Sequence, residues 1–223
     1  MLLLLSHTDF ELHSHFKEWF NDLGKAFNKL AIIEQNFTSN IADTCTKHDV
    51  SFLFIAIPNK TKLIQKYLNE CRELRIPYSF ITENTKHFSF DNVIASIGFL
   101  EEEMEKAHYL SHIARFHKTN ITLLRANDVG SRAKINTNKI CTVLNKFEIK
   151  HRVLMAKKDS FKVEYDALSL GNEKHTGVLM ILASRDYGWD DILFGPKERH
   201  IIQKSTSLVM LINPRSDLYT LCD

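Results

Sequence analysis

The sequence predicts an α/β fold in which open parallel sheets carry helices on both faces and the chain forms two related halves. Short apolar runs alternate with amphipathic helical patterns, as expected for parallel strands joined by crossover helices. Only 7 Gly and 4 Pro occur in 223 residues, which favours long regular elements over a turn-rich sandwich or barrel. The intervals from Leu2 to Leu30 and from Val93 to Ile121 are equal, and each contains one amphipathic helix.

Nine apolar runs have the length and the content of β-branched residues that are typical of buried strands. The first, near the amino terminus, is four leucines followed closely by Asp9, which is too short for a signal peptide or a membrane span. The predicted strands are Leu2–Leu5, Leu30–Ile33, Phe52–Ile57, Tyr78–Ile81, Val93–Ile97, Ile121–Leu124, Arg152–Met155, Val178–Leu182 and Leu208–Ile212.

Helical patterns lie between these strands. The clearest is Glu101–His117, in which apolar residues recur at helical spacing and Glu101, Glu102 and Glu103 occupy the first turn, where they complement the helix dipole. Its core stripe is Met104, Ala107, Leu110 and Ala114. The other predicted helices are Thr61–Leu74, a helix around Lys139–Phe147, a helix around Val163–Glu173, and Lys197–Lys204.

The two halves differ in their middle, because the first half lacks one strand–helix unit that the second contains. We place the boundary in the polar, aromatic-flanked stretch Thr82–Asp91. The predicted domains are therefore residues 1–85, a truncated half, and residues 86–223, a full domain.

Composition excludes several classes of function. Lys and Arg number 29 against 27 Asp and Glu, and the basic residues are dispersed, so we expect no binding of nucleic acid and no membrane association. No C-x-x-C pair occurs, so no zinc or redox motif is indicated, and we expect a cytoplasmic protein with free, mostly buried thiols. The four cysteines are Cys45, Cys71, Cys141 and Cys222.

The order of elements over residues 92–214 resembles that of the universal stress protein family. Residues 178–213, VLMILASRDYGWDDILFGPKERHIIQKSTSLVMLIN, contain the fourth strand, the following loop, a helix and the fifth strand of that pattern. The resemblance implies an adenine-nucleotide alpha-hydrolase-like fold. Residues 1–85 look like a shortened second copy of it.

The resemblance also implies where a nucleotide site would lie, since many members of the family bind ATP. They use an Asp at the end of the first strand and a G-x2-G-x9-G-[ST] loop after the fourth. In this sequence Gly98 stands at the position of that Asp, and in the first half the equivalent position is roughly that of His7. In the loop it has Ala183-Ser184-Arg185-Asp186 and then Gly195-Pro196, so both leading glycines are missing.

These changes predict poor ATP binding. Asp186 would repel a triphosphate, and Pro196 removes a hydroxyl and a backbone N–H from the helix start. The residues that a vestigial nucleotide or anion site would use are Gly98, Ser184, Arg185, Gly195 and Lys197. We therefore predict a non-enzymatic regulatory or interaction module that has lost ATP as a cofactor. The alternative is a nucleotide-binding stress protein with weak ATPase activity through a remodelled loop.

Two groups of histidines give other hypotheses. His108 and His112 have the i, i+4 spacing of metal ligands, with His117 one turn further on, but no further ligand completes a site, so we expect surface histidines. A second alternative is a small-molecule or metal-dependent enzyme that uses His7, Asp9 and His13, provided that these side chains converge. No nucleophile elbow, P-loop or dinucleotide fingerprint occurs, and we assign no catalytic or metal residue.

The resemblance also bears on association, because domains of that family pair through their fifth strands in antiparallel contact. The corresponding strands here are Tyr78–Ile81 and Leu208–Ile212, whose edges must otherwise find a partner. We expect either an intramolecular pseudo-dimer through these last strands or a homodimer, together with a protein partner that the sequence does not identify.

Overall fold

The computed structural model describes residues 1–27, 30–34, 40–184 and 196–214. Within them, nine strands form one continuous sheet, which confirms the predicted α/β class. Every predicted strand is present, and each observed end lies within one residue of the predicted end. The strands are β1 Leu2–Ser6, β2 Leu30–Glu34, β3 Phe52–Ala56, β4 Tyr78–Ile81, β5 Asn92–Ile97, β6 Asn120–Arg125, β7 His151–Met155, β8 Val178–Leu182 and β9 Leu208–Ile212.

The strand order is β2-β1-β3-β4-β9-β8-β5-β6-β7. All neighbouring strands are parallel except β4 and β9, so β1–β4 and β5–β9 form two parallel groups that run in opposite directions. The first group has one strand fewer than the second, at its outer edge.

Helices cover both faces of the sheet. Three of them, α1, α4 and α5, pack on one face, and the other four pack on the opposite face. A 3₁₀ turn, Glu101–Met104, precedes α4. The helices are α1 Ser14–Phe27, α2 Ile41–Lys47, α3 Thr61–Glu70, α4 Glu105–Phe116, α5 Arg132–Lys146, α6 Val163–Lys174 and α7 Lys197–Lys204.

The centre of the sheet is the antiparallel seam between β4 and β9, where Tyr78 lies opposite Leu211 and Phe80 opposite Val209. Asn213, just after β9, reinforces it. Its Nδ2 lies 2.6–3.0 Å from the backbone carbonyl oxygens of Cys71, Arg72 and Leu74, which share its two N–H donors, and its Oδ1 accepts from the Tyr78 hydroxyl at 2.9 Å. These carbonyls belong to the turn that follows α3, so a side chain of the second strand group binds the backbone of the first. The two predicted last strands are neighbours within one chain.

The connection Thr82–Asp91 lies across the sheet face between α1 and α4. Phe88 packs edge-on to Phe16 with ring centroids 5.3 Å apart, and Phe90 packs on Trp19 at 5.5 Å. Its backbone continues the sheet beside β9, because Leu208 N donates to His87 O at 2.8 Å. Phe90 of this stretch is thus part of the core and Phe88 packs against it, whereas Glu83, Asn84, Lys86 and Asp91 are exposed.

Three features differ from the sequence-based expectation. Helix α5 begins at Arg132, seven residues before the predicted start near Lys139, because the polar residues of its first two turns hide the helical period. Strand β7 was predicted to be buried, but it is the edge of the sheet, and Arg152, Val153 and Met155 are exposed. Helix α3 ends at Glu70 rather than Leu74.

The three cysteines in the described ranges, Cys45, Cys71 and Cys141, are free, and the first two are buried. Burial raises the pKa of the Cys45 thiol to about 11, so this thiol is unreactive at neutral pH. Cys222 lies outside the described residues. Among the helices described, none combines the length and the apolar character needed to cross a bilayer.

The contact of the connection with the sheet gives a test of the fold. A Cβ at Gly177 would lie 1.7 Å from the backbone oxygen of Ser89, whereas a Cβ at Gly130 would meet nothing within 4 Å. We expect Gly177→Ala to lower the free energy of unfolding by about 3 kcal/mol, because a backbone atom must move. We expect Gly130→Ala to leave it unchanged or raise it by up to about 1 kcal/mol. Urea denaturation of both variants measures this, and equal effects would contradict the described packing.

Candidate functional site: a buried charged network at the strand ends

The site predicted from the resemblance falls at the carboxyl ends of β5–β8, where open α/β sheets bind ligands. Gly98 follows β5, Ser184 lies two residues beyond β8, and Lys197 is the first residue of α7. Arg185 and Gly195, the other two predicted residues, lie outside the described residues, as does Asp186. Each of the three described residues is hydrogen-bonded to a buried carboxylate that the sequence analysis did not assign to a site.

Gly98 is enclosed by side chains. Its N–H donates to Glu103 Oε1 at 3.0 Å, and its carbonyl accepts from Asn136 Nδ2 at 3.0 Å. A Cβ at this position would lie 3.1 Å from Glu103 Oε1 and 3.3 Å from Ser160 Oγ. A side chain at this position would fit only if Glu103 and Ser160 moved by a few tenths of an ångström.

Glu103 forms a buried ion pair with Lys106, and their side chains are 4% and 0% exposed. Lys106 Nζ also donates to the backbone oxygen of Ser96 at 2.5 Å. Glu101, Glu102 and Glu103 occupy the acidic first turn that the sequence predicted, and Glu102 and Glu103 are in addition buried. The 3₁₀ turn that contains them folds over the end of β5 and directs Glu103 inward.

Lys197 is paired with Glu164 on α6. Lys197 Nζ donates to Glu164 Oε1 at 2.6 Å, and the Glu164 side chain is 4% exposed. Burial raises the pKa of Glu164, and Lys197 only partly opposes this. Burial also acts to lower the pKa of Lys197, but the carboxylates of Glu164, Glu198 and Glu103 outweigh it and the pKa rises. Lys197 is thus a charged ammonium group surrounded by carboxylates.

Glu198 occupies the amino-terminal turn of α7, where a negative charge is stabilised by the helix dipole. Its carboxylate accepts a hydrogen bond from the backbone N–H of Ser184, and the residue is 2% exposed. The residue before the helix, Pro196, makes no side-chain capping bond. A carboxylate of the chain itself therefore takes the place at this helix start that an anionic ligand would need.

The network contains more carboxylates than cations. Glu103, Glu164 and Glu198 face Lys106 and Lys197, so one negative charge is in excess if all are ionised. Two oxygens, Glu164 Oε2 and Glu198 Oε2, are buried without a hydrogen-bond partner among the described residues. A buried excess of negative charge disfavours the approach of a phosphate.

A serine–aspartate pair borders this network. Ser160 N and Oγ donate to the two carboxylate oxygens of Asp128 at 2.8 and 2.5 Å. Asp128 follows β6 and Ser160 follows β7, so both lie at the same ends of the parallel strands as Gly98. Sequence reasoning missed them, although a polar residue just beyond a buried parallel strand is a recognisable signal.

The histidines of the first half do not converge as the second alternative requires. His7 Nδ1 accepts a hydrogen bond from Asp9 N at 3.1 Å, and the two residues border a cleft that His13 does not line. His13 and Asp9 are both exposed. Across the described ranges, no group of three His, Cys, Asp or Glu side chains has the geometry of a metal site.

His108 and His112 are exposed on α4, as expected for surface histidines, and His117 is half-buried. The rings of His108 and His112 are stacked with centroids 6.4 Å apart. These residues border a separate cavity that is described below.

Comparison with solved structures identifies the fold. The chain is similar to a universal stress protein from Archaeoglobus fulgidus DSM 4304, with a TM-score of 0.63 at 12% identity, over 96% of this chain and 97% of that one. It is also similar to a putative universal stress protein from Pseudomonas aeruginosa UCBPP-PA14, with a TM-score of 0.53 at 12% identity, over 97% of this chain and 84% of that one.

A third similar structure is a protein of unknown function from Pseudomonas aeruginosa PAO1, with a TM-score of 0.52 at 12% identity, over 97% and 83% of the two chains. No family model matches the sequence, and no curated protein has a significantly similar sequence. The chain has the universal stress protein fold, as the resemblance implied.

The buried pair Glu103–Lys106 gives a test of the network. We expect Lys106→Met to lower the free energy of unfolding by about 3–5 kcal/mol, because it leaves a buried carboxylate without its cation. The matched control is Lys66→Met, which removes an exposed pair with Glu70 and should cost less than about 1 kcal/mol.

The double variant Glu103→Gln, Lys106→Met separates charge from packing. It should recover part of the loss, because neither charge is then buried alone. Urea denaturation at neutral pH measures all three variants. A loss for Lys106→Met no larger than that for Lys66→Met would contradict the described pairing.

Proposed function

We propose that the protein is a universal stress protein-like regulatory or interaction module that does not bind ATP and is not an enzyme. The proposal rests on one observation: two hydrogen-bond donors that could bind an anion are already bonded to carboxylates of the same chain. The Ser184 N–H is bonded to Glu198, and the Lys197 ammonium group is bonded to Glu164. A bound phosphate would have to displace Glu198 from the Ser184 N–H, compete with Glu164 for Lys197, and then remain next to both buried carboxylates.

The energetic argument follows from burial. Removing one partner of a buried pair leaves an uncompensated charge, which costs several kcal/mol. A phosphate that took Lys197 from Glu164 would create such a charge in a site that already has excess negative charge. Gly98 further supports the proposal, because it has no carboxylate where the family pattern has its Asp and because Glu103 and Ser160 crowd that position.

The proposal includes an internal pseudo-dimer. Residues 1–85 and 86–223 would be related copies, and the β4–β9 seam would stand in for contact between two chains. The matching strand orders of the two groups, apart from the missing outer strand, support this. The seam also uses the edges that would otherwise pair in a homodimer. We further propose a reducing, cytoplasmic environment, because the described cysteines are free.

Thermal melting with ATP and Mg²⁺ tests the proposal. A site saturated at 100 times its Kd would add about 2.7 kcal/mol of stability, which is a rise of about 5–10 °C in Tm for a chain of this size. We expect no rise for the natural sequence. A clear rise would contradict the proposal and support the nucleotide-binding alternative.

A gain-of-function variant sharpens the test. Glu164→Gln combined with Glu198→Gln removes two negative charges beside Lys197 and the Ser184 N–H, so we expect pyrophosphate to raise its Tm. The matched control is Glu70→Gln combined with Glu173→Gln, which removes two carboxylates outside the network. Equal responses of the two double variants would show that the internal carboxylates do not exclude the anion.

A further inference from the structure

A cavity of about 240 Å³ lies on the sheet face that carries α1 and α4, and it shares no residue with the charged network. Leu2, Phe52, Phe54 and Met210 from the strands form its apolar base, and all are buried. Leu23 of α1 closes one side. The surrounding strands belong to both parallel groups, so the cavity adjoins the central seam.

Helix α4 forms the opposite side with a mixed surface. His108, Tyr109, His112 and Ile113 all border the cavity, and Ile113 is buried whereas the two histidines are exposed. The apolar base and the polar rim resemble the general composition of small-molecule sites, in which a few polar groups orient a ligand against an apolar surface.

His117, just after α4, supplies the buried polar group. It borders the cavity, its ring centroid lies 5.2 Å from that of Phe90, and its Nε2 is buried without a hydrogen-bond partner among the described residues. Burial lowers the pKa of His117, so the imidazole is neutral at physiological pH. A buried nitrogen without a partner has lost its hydrogen bond to water, and a ligand group that reaches it restores one.

The size of the cavity limits the ligand. A volume of about 240 Å³ equals the share of roughly eight water molecules in the liquid, at about 30 Å³ each. This suits a single aromatic ring or a compact aliphatic molecule with a few substituents. The aromatic base provides edge and face contacts for such a ring.

We propose that this cavity binds a compact, uncharged aromatic molecule with one hydroxyl or amino group, which hydrogen-bonds to the His117 imidazole. An anionic ligand would find no lysine or arginine among the lining residues. This proposal does not depend on whether the protein binds ATP, because none of the residues that line the cavity belongs to the charged network.

Methionine methyl NMR tests the proposal with an internal control. Met210 lies in the base of the cavity, whereas Met155 is exposed on the edge strand β7. Phenol is the probe, and Met210→Leu assigns the signal. We expect phenol to shift the Met210 methyl resonance saturably and to leave that of Met155 unchanged. No saturable shift of Met210, or similar shifts of both methyl groups, would overturn the proposal.

The role of His117 is tested with toluene, which has the shape of phenol without its hydroxyl. His117→Phe keeps an aromatic ring beside Phe90 but removes the nitrogen. The ratio of phenol to toluene affinity should fall about fivefold in this variant, the ratio expected for one net hydrogen bond. An unchanged ratio would overturn the assignment to His117. If the variant does not fold, the phenol titration of the natural protein still tests whether the cavity binds a ligand.

Discussion

The central interaction of the structure is the pairing of two buried carboxylates at the carboxyl ends of the second strand group. Glu164 and Glu198 come from different helices, α6 and α7, and each accepts a hydrogen bond from a group that would otherwise face an anion. Because buried charges are stable only when paired, the positions of these helices and the ionisation of Lys197 depend on each other. Both donors, the Ser184 N–H and the Lys197 ammonium group, therefore bind carboxylates of the chain itself.

The seam between β4 and β9 is the second constraint. It joins two parallel strand groups into one sheet and removes two edges that would be open to pairing with other chains. Asn213 stabilises this contact by donating hydrogen bonds to backbone carbonyls just after α3. The connection Thr82–Asp91 then covers the sheet face beside the seam with aromatic side chains. The seam and the connection together make both strand groups contribute to one core.

The sequence was sufficient to predict the strands, because a buried parallel strand is an uninterrupted apolar run and its ends are marked by polar residues. It was less informative for α5, whose first turns are polar, and for β7, an apolar run that lies at the sheet edge. The order of the strands determines which apolar runs are buried in the centre of the sheet and which lie at its edge, and the local sequence pattern does not specify that order.

The candidate site was predicted only in part. Gly98, Ser184 and Lys197 were located through the resemblance, but their partners Glu103, Glu164 and Glu198 had the local pattern of ordinary exposed helix residues. An acidic residue in a first helical turn is usually solvated and favourable to the dipole. Whether it turns inward depends on a lysine or a backbone N–H from a distant segment, which only the tertiary structure brings near.

The most direct measurement is a crystal structure of the protein grown with millimolar ATP and Mg²⁺. The account predicts that Glu198 still accepts from the Ser184 N–H, that Lys197 still contacts Glu164, and that no phosphate density lies between them. Phosphate density bonded to Ser184 N or Lys197 Nζ, with either carboxylate displaced, would contradict it.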